Sequence, residues 1–292
     1  MGLVFRLLSR FPLALLHALG AGMGWMVYLA SGVYRRRFQA NAAQAGVAWA
    51  DARPAIAAAG RMAAELPWLW VATKRQPLGD RLTWDGGELI AAALEQKRGV
   101  VMLTPHMGCF EICAQAIAER FTTAESPITV LYRPARQAAL RDVMAGSRER
   151  PGLATAPASL AGVRQMIRAL RKGEVIGLLP DQVPPDGLGV WAPFFGKPAY
   201  TMTLAARLVQ QTGAAVLLIW GERLAGGQGF VVHVLPAPEI AKDAPAEAAA
   251  TTINAAMESV IRRAPGQYMW GYHRYKQPRG LDIGAAPPTP EG

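Results

Sequence analysis

Four strand-like runs, Val100–Leu103, Ile128–Tyr132, Glu174–Leu179 and Ala214–Trp220, constrain this chain more than any other feature of it. Val100-Val101-Met102-Leu103 is apolar at every position, which is the pattern of a strand covered on both faces. Between successive runs lie stretches with apolar residues at helical spacing. One resumes by Gly108 and reaches Glu119, one follows Ser159 and stops at Gly173, and one covers Tyr200 to Gln211. Short buried strands alternating with helices imply βαβ units, hence an α/β fold with a mainly parallel sheet flanked by helices. Phe230 to Leu235 reads as a fifth strand. It follows the glycine-rich stretch 221–229 and reads as a hairpin partner of the fourth, which makes the sheet mixed.

The remaining segments fit around this unit. Residues 38–76 read as Ala-rich helices, with Pro54 in a first turn and Pro67 ending or kinking the next helix. Gly87 to Arg98 is a helix stopped at Gly99, residues 183–198 a Pro/Gly-rich loop, and 246–263 a last helix. The expected organisation is an N-terminal membrane-associated helix over 1–37, a single domain over 38–276, and a flexible tail over 277–292.

Residues 11–34 contain no Asp, Glu, Lys or Arg. As one helix they would reach roughly 36 Å, enough to cross a bilayer. Arg6 and Arg10 precede the run and Arg35, Arg36 and Arg37 follow it, which favours a cytoplasmic main domain by a small margin. A helix lying in the interface stays open beside a true span, because Gly20, Gly22, Gly24 and Gly32 dilute its hydrophobicity. Gly20 and Gly24 also form a small-xxx-small pair, a weak sign of helix dimerisation. The whole chain is 51% hydrophobic, only 18% charged, and carries a net charge of +10, which points to lipid contact and anionic partners. Nucleic acid is disfavoured, since the basic residues are scattered and no zinc-ligand spacing, RNP-like strand or helix-turn-helix cue is present.

In open parallel sheets ligands bind beyond the carboxyl ends of the strands. His106, Arg133 and Asp181 each follow a predicted strand and should share that edge. His106 and Glu111 stand five residues apart, about 140° around a continuous helix, so they meet only if His106 precedes the helix and Glu111 sits in its first turns. Pro105 and Gly108 supply that break. Glu111 could then accept a hydrogen bond from one imidazole nitrogen and leave the other as a general base. A capping histidine and a surface glutamate is the bland alternative. No G-x-S-x-G elbow, P-loop or dinucleotide fingerprint occurs, and His17, His233 and His273 show no metal spacing with His106. His233, within a strand, reads as structural. Cys109 and Cys113 read as reduced, small core residues.

The order strand-Pro105-His106-Met107-Gly108-Cys109-Phe110-Glu111 resembles the H-x4-D/E motif of the glycerolipid acyltransferases, and most closely their lipid A late-acyltransferase (lauroyl/myristoyl) branch. Tyr132-Arg133-Pro134, Pro180-Asp181-Gln182, Pro193-Phe194-Phe195-Gly196, Gln267-Tyr268-Met269-Trp270 and His273-Arg274 with Lys276 carry the same resemblance. It implies an enzyme on the cytoplasmic face of a Gram-negative inner membrane. Such an enzyme moves a fatty acyl chain from acyl carrier protein to a hydroxyl of a phosphorylated glycolipid, without a covalent intermediate, cofactor or metal. His106 would be the base and Glu111 its partner, with Asp181, Gln182 and either Arg133 or Arg150 at the substrate. The basic segment 133–150 is a candidate docking surface for acidic acyl carrier protein. Two alternatives stay open: an acyltransferase for another glycolipid or aminolipid, and a non-catalytic membrane protein that binds anionic lipid.

Overall fold

The computed structural model describes residues 2–74, 77–132 and 150–278. Helices come first: α1 (Gly2–Leu8), α2 (Leu13–Ala30), α3 (Gly32–Gln44), α4 (Trp49–Ala52), α5 (Pro54–Ala64) and α6 (Leu66–Val71). Strand β1 (Leu82–Asp85), helix α7 (Glu88–Glu95), strand β2 (Val100–Leu103), helix α8 (Phe110–Arg120) and strand β3 (Ile128–Tyr132) follow. Then come β4 (Leu153–Pro157), α9 (Leu160–Arg171), β5 (Val175–Leu178), β6 (Gly189–Phe194), β7 (Lys197–Met202), α10 (Leu204–Thr212), β8 (Ala215–Arg223), β9 (Phe230–Pro236) and α11 (Ala246–Ile261).

Seven strands form one sheet in the order β1-β9-β8-β2-β5-β3-β4. All neighbours are parallel except β8 and β9, which pair as an antiparallel hairpin. The sheet is thus mixed and mainly parallel, as the alternation of runs and helices requires. β2 lies at its centre, and every residue of β2 is buried. Two apolar layers cover the faces. One holds Val101, Leu103, Met166 and Trp270, the other Val100, Met102, Ile112 and Ile117.

Several elements depart from the expectation. β1 and β4 form the two edges of the sheet, where only half of each strand's side chains are covered and no continuous apolar run marks them. The Pro/Gly-rich loop contains a hairpin instead: β6 and β7 pair across Phe195 and Gly196, both at positive φ, the two-residue turn that hairpins favour. The following helix therefore starts at Leu204 rather than Tyr200, whose side chain sits in β7. Pro67 stands in the first turn of α6, where its missing N–H is harmless, and the break falls before it at Glu65.

Residues 11–34 are not one helix. Ser31 divides them, its hydroxyl accepting the Tyr34 backbone N–H at the start of α3. At 1.5 Å per residue α2 is about 27 Å long. It is the one described helix long and apolar enough to cross a membrane. Leu13, Leu16, His17, Gly20, Gly24 and Tyr28 make one buried stripe, and the helix packs along α5. A Cβ on Gly24 would stand 2.1 Å from the Ile56 carbonyl, and one on Gly60 would stand 1.9 Å from the Gly20 carbonyl. The small-xxx-small pair thus serves contact between two helices of the same chain. The opposite face shows Leu15, Leu19, Met23, Met26 and Leu29 to the outside.

Candidate active site

β2 and β5 run side by side in register, Leu103 beside Leu178, and the Thr104 N–H continues the ladder to the Leu178 carbonyl. Three residues beyond each strand stand His106 and Asp181. The His106 imidazole Nδ1 lies 2.6 Å from Asp181 Oδ1, and the His106 backbone N–H donates to Asp181 Oδ2 at 2.9 Å. Burial pushes the Asp181 carboxyl up, but the charge and hydrogen bonds of His106, with the charge of Arg274 behind them, hold it below the usual carboxylate range. An ionised carboxylate only accepts, so Nδ1 carries a proton and Nε2 is the nitrogen that faces away from Asp181. The His106 side chain is 18% exposed and that of Asp181 only 2%, so the ring alone reaches outward. The Phe110 ring stands edge-on at 5.1 Å.

The turn that carries His106 is built into its neighbours. Gly108 has φ +56°, and a Cβ there would come within 2.0 Å of the Gly221 carbonyl on β8. The Cys109 N–H donates to that same carbonyl at 2.8 Å. On the other side the C-terminal segment lies along the turn. The Gly108 N–H donates to the Gln267 carbonyl, the Met269 N–H donates to the His106 carbonyl, and Met107 bridges Tyr268. This explains the Gln267-Tyr268-Met269-Trp270 motif: its backbone fixes the histidine turn. The Tyr268 phenol is raised well above its ordinary value, by burial first and then by Asp181.

His106 precedes α8 and Glu111 sits in that helix's first turn, so the helix break stands where the spacing demands it. The histidine's Nδ1, however, is engaged by Asp181, in the position expected of Glu111. Glu111 Oε2 accepts from the Trp70 indole N–H at 3.3 Å. The expectation that Asp181 touches substrate is revised accordingly, because both its oxygens are taken by His106 and it is buried. The spacing of Asp181 three residues past a strand adjacent to β2 held this pairing, but strand order is not written in the sequence. Gln182 is half-buried beside it.

The arginines separate. Arg133 and the basic segment up to 149 lie outside the described residues. Arg150 precedes β4, at the amino end of the strands. Its guanidinium donates to Gln115 Oε1, the Leu69 carbonyl and Thr73 Oγ1, which joins α6 to α8 one turn beyond Glu111. Burial lowers its pKa and Glu119 opposes this. Arg274 is 2% exposed and donates to the Tyr200 carbonyl and Thr201 Oγ1. Each of these two directs its terminal guanidinium nitrogens into the fold.

Sequence reasoning missed a second cluster on the β8 side of the turn. Arg223, at the end of β8, donates through Nε and Nη2 to Glu65 at 2.7 and 2.5 Å, and through Nη2 to the Gly108 carbonyl at 2.8 Å. His17 of α2 meets the same Glu65 with Nε2 at 2.9 Å. Burial pushes Glu65 up, yet Arg223 and then His17 bring it below the ordinary range. No motif joins residues 17, 65 and 223; a lone histidine inside an apolar run was the available signal. His233 lies between Asp85 and Glu222, each 2.8 Å from a ring nitrogen, and stacks on Trp220. Cys109 and Cys113 are free and buried, and burial raises both thiols, which keeps them unreactive. Among the described residues no group of His, Cys, Asp and Glu could hold a metal.

Comparison with known proteins places the chain in a family. The model of a family described as bacterial lipid A biosynthesis acyltransferase matches residues 2–277. The chain belongs to that family. A lipid A biosynthesis lauroyltransferase of Escherichia coli (strain K12) is 31% identical over 199 residues, 67% of this chain and 62% of that protein. A palmitoleoyltransferase of the same organism is 26% identical over 212 residues, 72% of this chain and 66% of its own length. A lipid A biosynthesis acyltransferase of Haemophilus influenzae is 26% identical, with 67% of this chain and 59% of the relative covered. The alignments therefore span about three fifths to two thirds of these family members.

Proposed function

We propose that this protein transfers a fatty acyl chain from acyl carrier protein to a hydroxyl of a phosphorylated lipid A precursor. The reaction takes place at the cytoplasmic face of a bacterial inner membrane. One observation carries the mechanism: the Asp181–His106 pair at the carboxyl end of the central strands, with the imidazole reaching outward and its Nδ1 proton committed to Asp181. Nε2 then takes the proton of the acceptor hydroxyl as its oxygen attacks the thioester carbonyl. The new C–O bond forms, the C–S bond breaks, and the proton returns from Nε2 to the departing thiolate. Asp181 stabilises the transient imidazolium, a positioning role. General-base catalysis of this kind contributes on the order of 10²–10⁴-fold. Glu111, in the first turn of α8, is a second acidic group for the same ring or for the leaving thiol.

The membrane reading rests on α2. Its buried stripe is spent on α5, its outer face is apolar, and Arg6, Arg10 and Arg35 to Arg37 flank it. A helix packed along its length on the domain suits an interfacial position better than a span.

The test is transfer by the purified full chain in detergent, with acyl carrier protein thioesters and a lipid A precursor, read as the product's mass increase. The wild type should give one added acyl chain, and His106→Ala should lose at least two orders of magnitude while circular dichroism shows it still folded at the assay temperature. Equal activity of the two proteins would refute the mechanism. Glu111→Gln distinguishes the two carboxylates: a large loss there with little loss in Asp181→Asn would return the partner role to Glu111.

A further inference from the structure

Asp181 holds the His106 ring and the His106 N–H from the β5 side. The direction of that ring also depends on how residues 106–109 leave β2, and this path is fixed from the β8 side. Both peptide units of Gly108 are gripped there. The Gly108 N–H donates to the Gln267 carbonyl at 2.9 Å, and the Gly108 carbonyl accepts from Arg223 Nη2 at 2.8 Å. Gln267 and Arg223 are joined in turn. Gln267 Oε1 accepts the Arg223 backbone N–H at 3.0 Å, and Gln267 Nε2 donates to the Arg223 carbonyl at 3.2 Å. Two residues earlier on β8, Gly221 lets the turn lie close, since a Cβ there would stand 2.6 Å from the Cys109 carbonyl.

The guanidinium is placed for this contact. Its Nε and Nη2 meet the two oxygens of Glu65, and His17 of α2 holds the same carboxylate through Oε2. A planar fork pinned at two nitrogens is pre-organised, so Nη2 stays aimed at the Gly108 carbonyl. Burial works to lower the pKa of Arg223, and the charge and hydrogen bond of Glu65 more than offset it, so the donor is a cation and the contact is charge-assisted. An ion pair alone does not ask for this geometry, because a lysine ammonium would neutralise Glu65 as a point charge. The fork instead leaves Nη1 buried without a hydrogen-bond partner among the described residues. A buried unsatisfied donor is costly and calls for a reason. The second contact of Nη2, to the backbone of the histidine turn, supplies one.

We infer that Arg223 is a positioning residue for acyl transfer. By holding the Gly108 carbonyl it fixes the path of the histidine turn, and with it the direction in which His106 presents its outer nitrogen. The inference rests on the proposed role of His106 as the base. A general base acts only within hydrogen-bond reach of the proton it takes, so small displacements of the ring cost rate. Arg223 acts through the turn, and its loss should therefore lower kcat while leaving KM nearly unchanged.

The experiment uses the full chain in detergent with an acyl carrier protein thioester and a lipid A precursor. It reads kcat and KM per folded molecule, with the folded fraction taken from circular dichroism at the assay temperature. Removing Arg223 alone would strand Glu65, so the first variant is the pair Glu65→Met with Arg223→Met, which removes both buried charges together. Its kcat should fall about ten- to a hundredfold, the loss expected for one charge-assisted hydrogen bond, with KM within about threefold of wild type. Arg223→Lys keeps the ion pair and gives up the fork, and its kcat should fall about tenfold. Glu65→Gln keeps an acceptor for Arg223 and keeps Nη2 on the Gly108 carbonyl, so its kcat per folded molecule should stay within about threefold of wild type. A role in folding alone would change the folded fraction and leave kcat per folded molecule unmoved in every variant. Unchanged kcat in either Arg223 variant, with His106→Ala inactive, overturns the inference and leaves the base assigned. A kcat in Glu65→Gln as low as in the double variant overturns it too, because there the contact to the turn is intact. Full activity of His106→Ala overturns the catalytic reading and this inference with it.

Discussion

Among the described residues two histidines meet a buried carboxylate, His106 with Asp181 and His17 with Glu65, and the pairs differ in what else the carboxylate serves. Asp181 gives both oxygens to one residue, the ring and backbone of His106. Glu65 divides its oxygens between Arg223 and His17. The first histidine side chain is 18% exposed, the second 6%. Arg274 acts on Asp181 through its charge but donates its hydrogen bonds elsewhere, so the carboxylate oxygens stay on His106 and the far ring nitrogen stays open. Glu65, neutralised by a bidentate guanidinium, has little field left, and its histidine acts as a peg that holds α2 to α5. A histidine beside a carboxylate thus serves as the proposed proton-transfer pair in one place and as a fastening in the other, and the discriminating feature is an arginine hydrogen-bonded to the carboxylate.

The sharpest way to break this contrast is to neutralise each carboxylate without changing its shape. Asp181→Asn should cut the transfer rate by about 10²–10⁴-fold, since the ring loses both its tautomer and its counter-charge. Its melting temperature should shift little beside that loss, which circular dichroism on the same sample checks. Comparable turnover in Asp181→Asn and wild type would dissolve the distinction from the catalytic side.

Glu65→Gln should do the reverse. It leaves Arg223 buried without its counter-ion, a loss of about 3–5 kcal/mol of stability, while the folded fraction keeps measurable turnover. The pH dependence has a definite sign. The folded Glu65 carboxyl titrates below its ordinary range, so its contribution is present above the unfolded value of about 4.3 and is lost as pH falls through the lower, folded value. The stability gap between wild type and Glu65→Gln should therefore be constant above about pH 5 and narrow below about pH 4. A gap that widens in acid would contradict the buried ion pair.

The contrast also marks what was legible in the sequence. β2 was readable because burial on both faces leaves a run without polar interruption, and β3, β5, β8 and β9 because each still holds a mainly apolar run. β1 and β4 were not, because an edge strand is half-covered and its alternation is too short to register. The histidine turn was readable through Pro105, Gly108 and the five-residue spacing to Glu111. The partner of His106 was not, because Asp181 is seventy-five positions away and becomes a neighbour only through the placement of β5 beside β2. Arg150 reads as a surface cation in sequence, and it is the buried oxygens of Leu69, Thr73 and Gln115 that turn it inward. His17 was hidden by its surroundings, since an apolar run containing one histidine looks like a membrane segment whichever way the ring points.

The smallest effect concerns how α2 delivers that ring. Gly24 and Gly22 stand two residues apart on the same helix with opposite environments. A Cβ on Gly24 would stand 2.1 Å from the Ile56 carbonyl, a backbone atom, whereas one on Gly22 meets nothing within 4 Å. Helix propensity favours alanine over glycine by about 1 kcal/mol at both sites. At Gly22 that gain should appear nearly undiminished, as a rise in melting temperature of the detergent-solubilised protein. At Gly24 the helices must separate before a methyl group fits, and overpacking of this kind costs about 1–3 kcal/mol, so Gly24→Ala should melt lower than wild type. Separation of α2 from α5 also draws His17 away from Glu65, so Gly24→Ala and His17→Gln should be less than additive. Full additivity would mean that the ring is not fastened through this helix contact, and the description of His17 as a peg would fail while the His106 pair stood untouched.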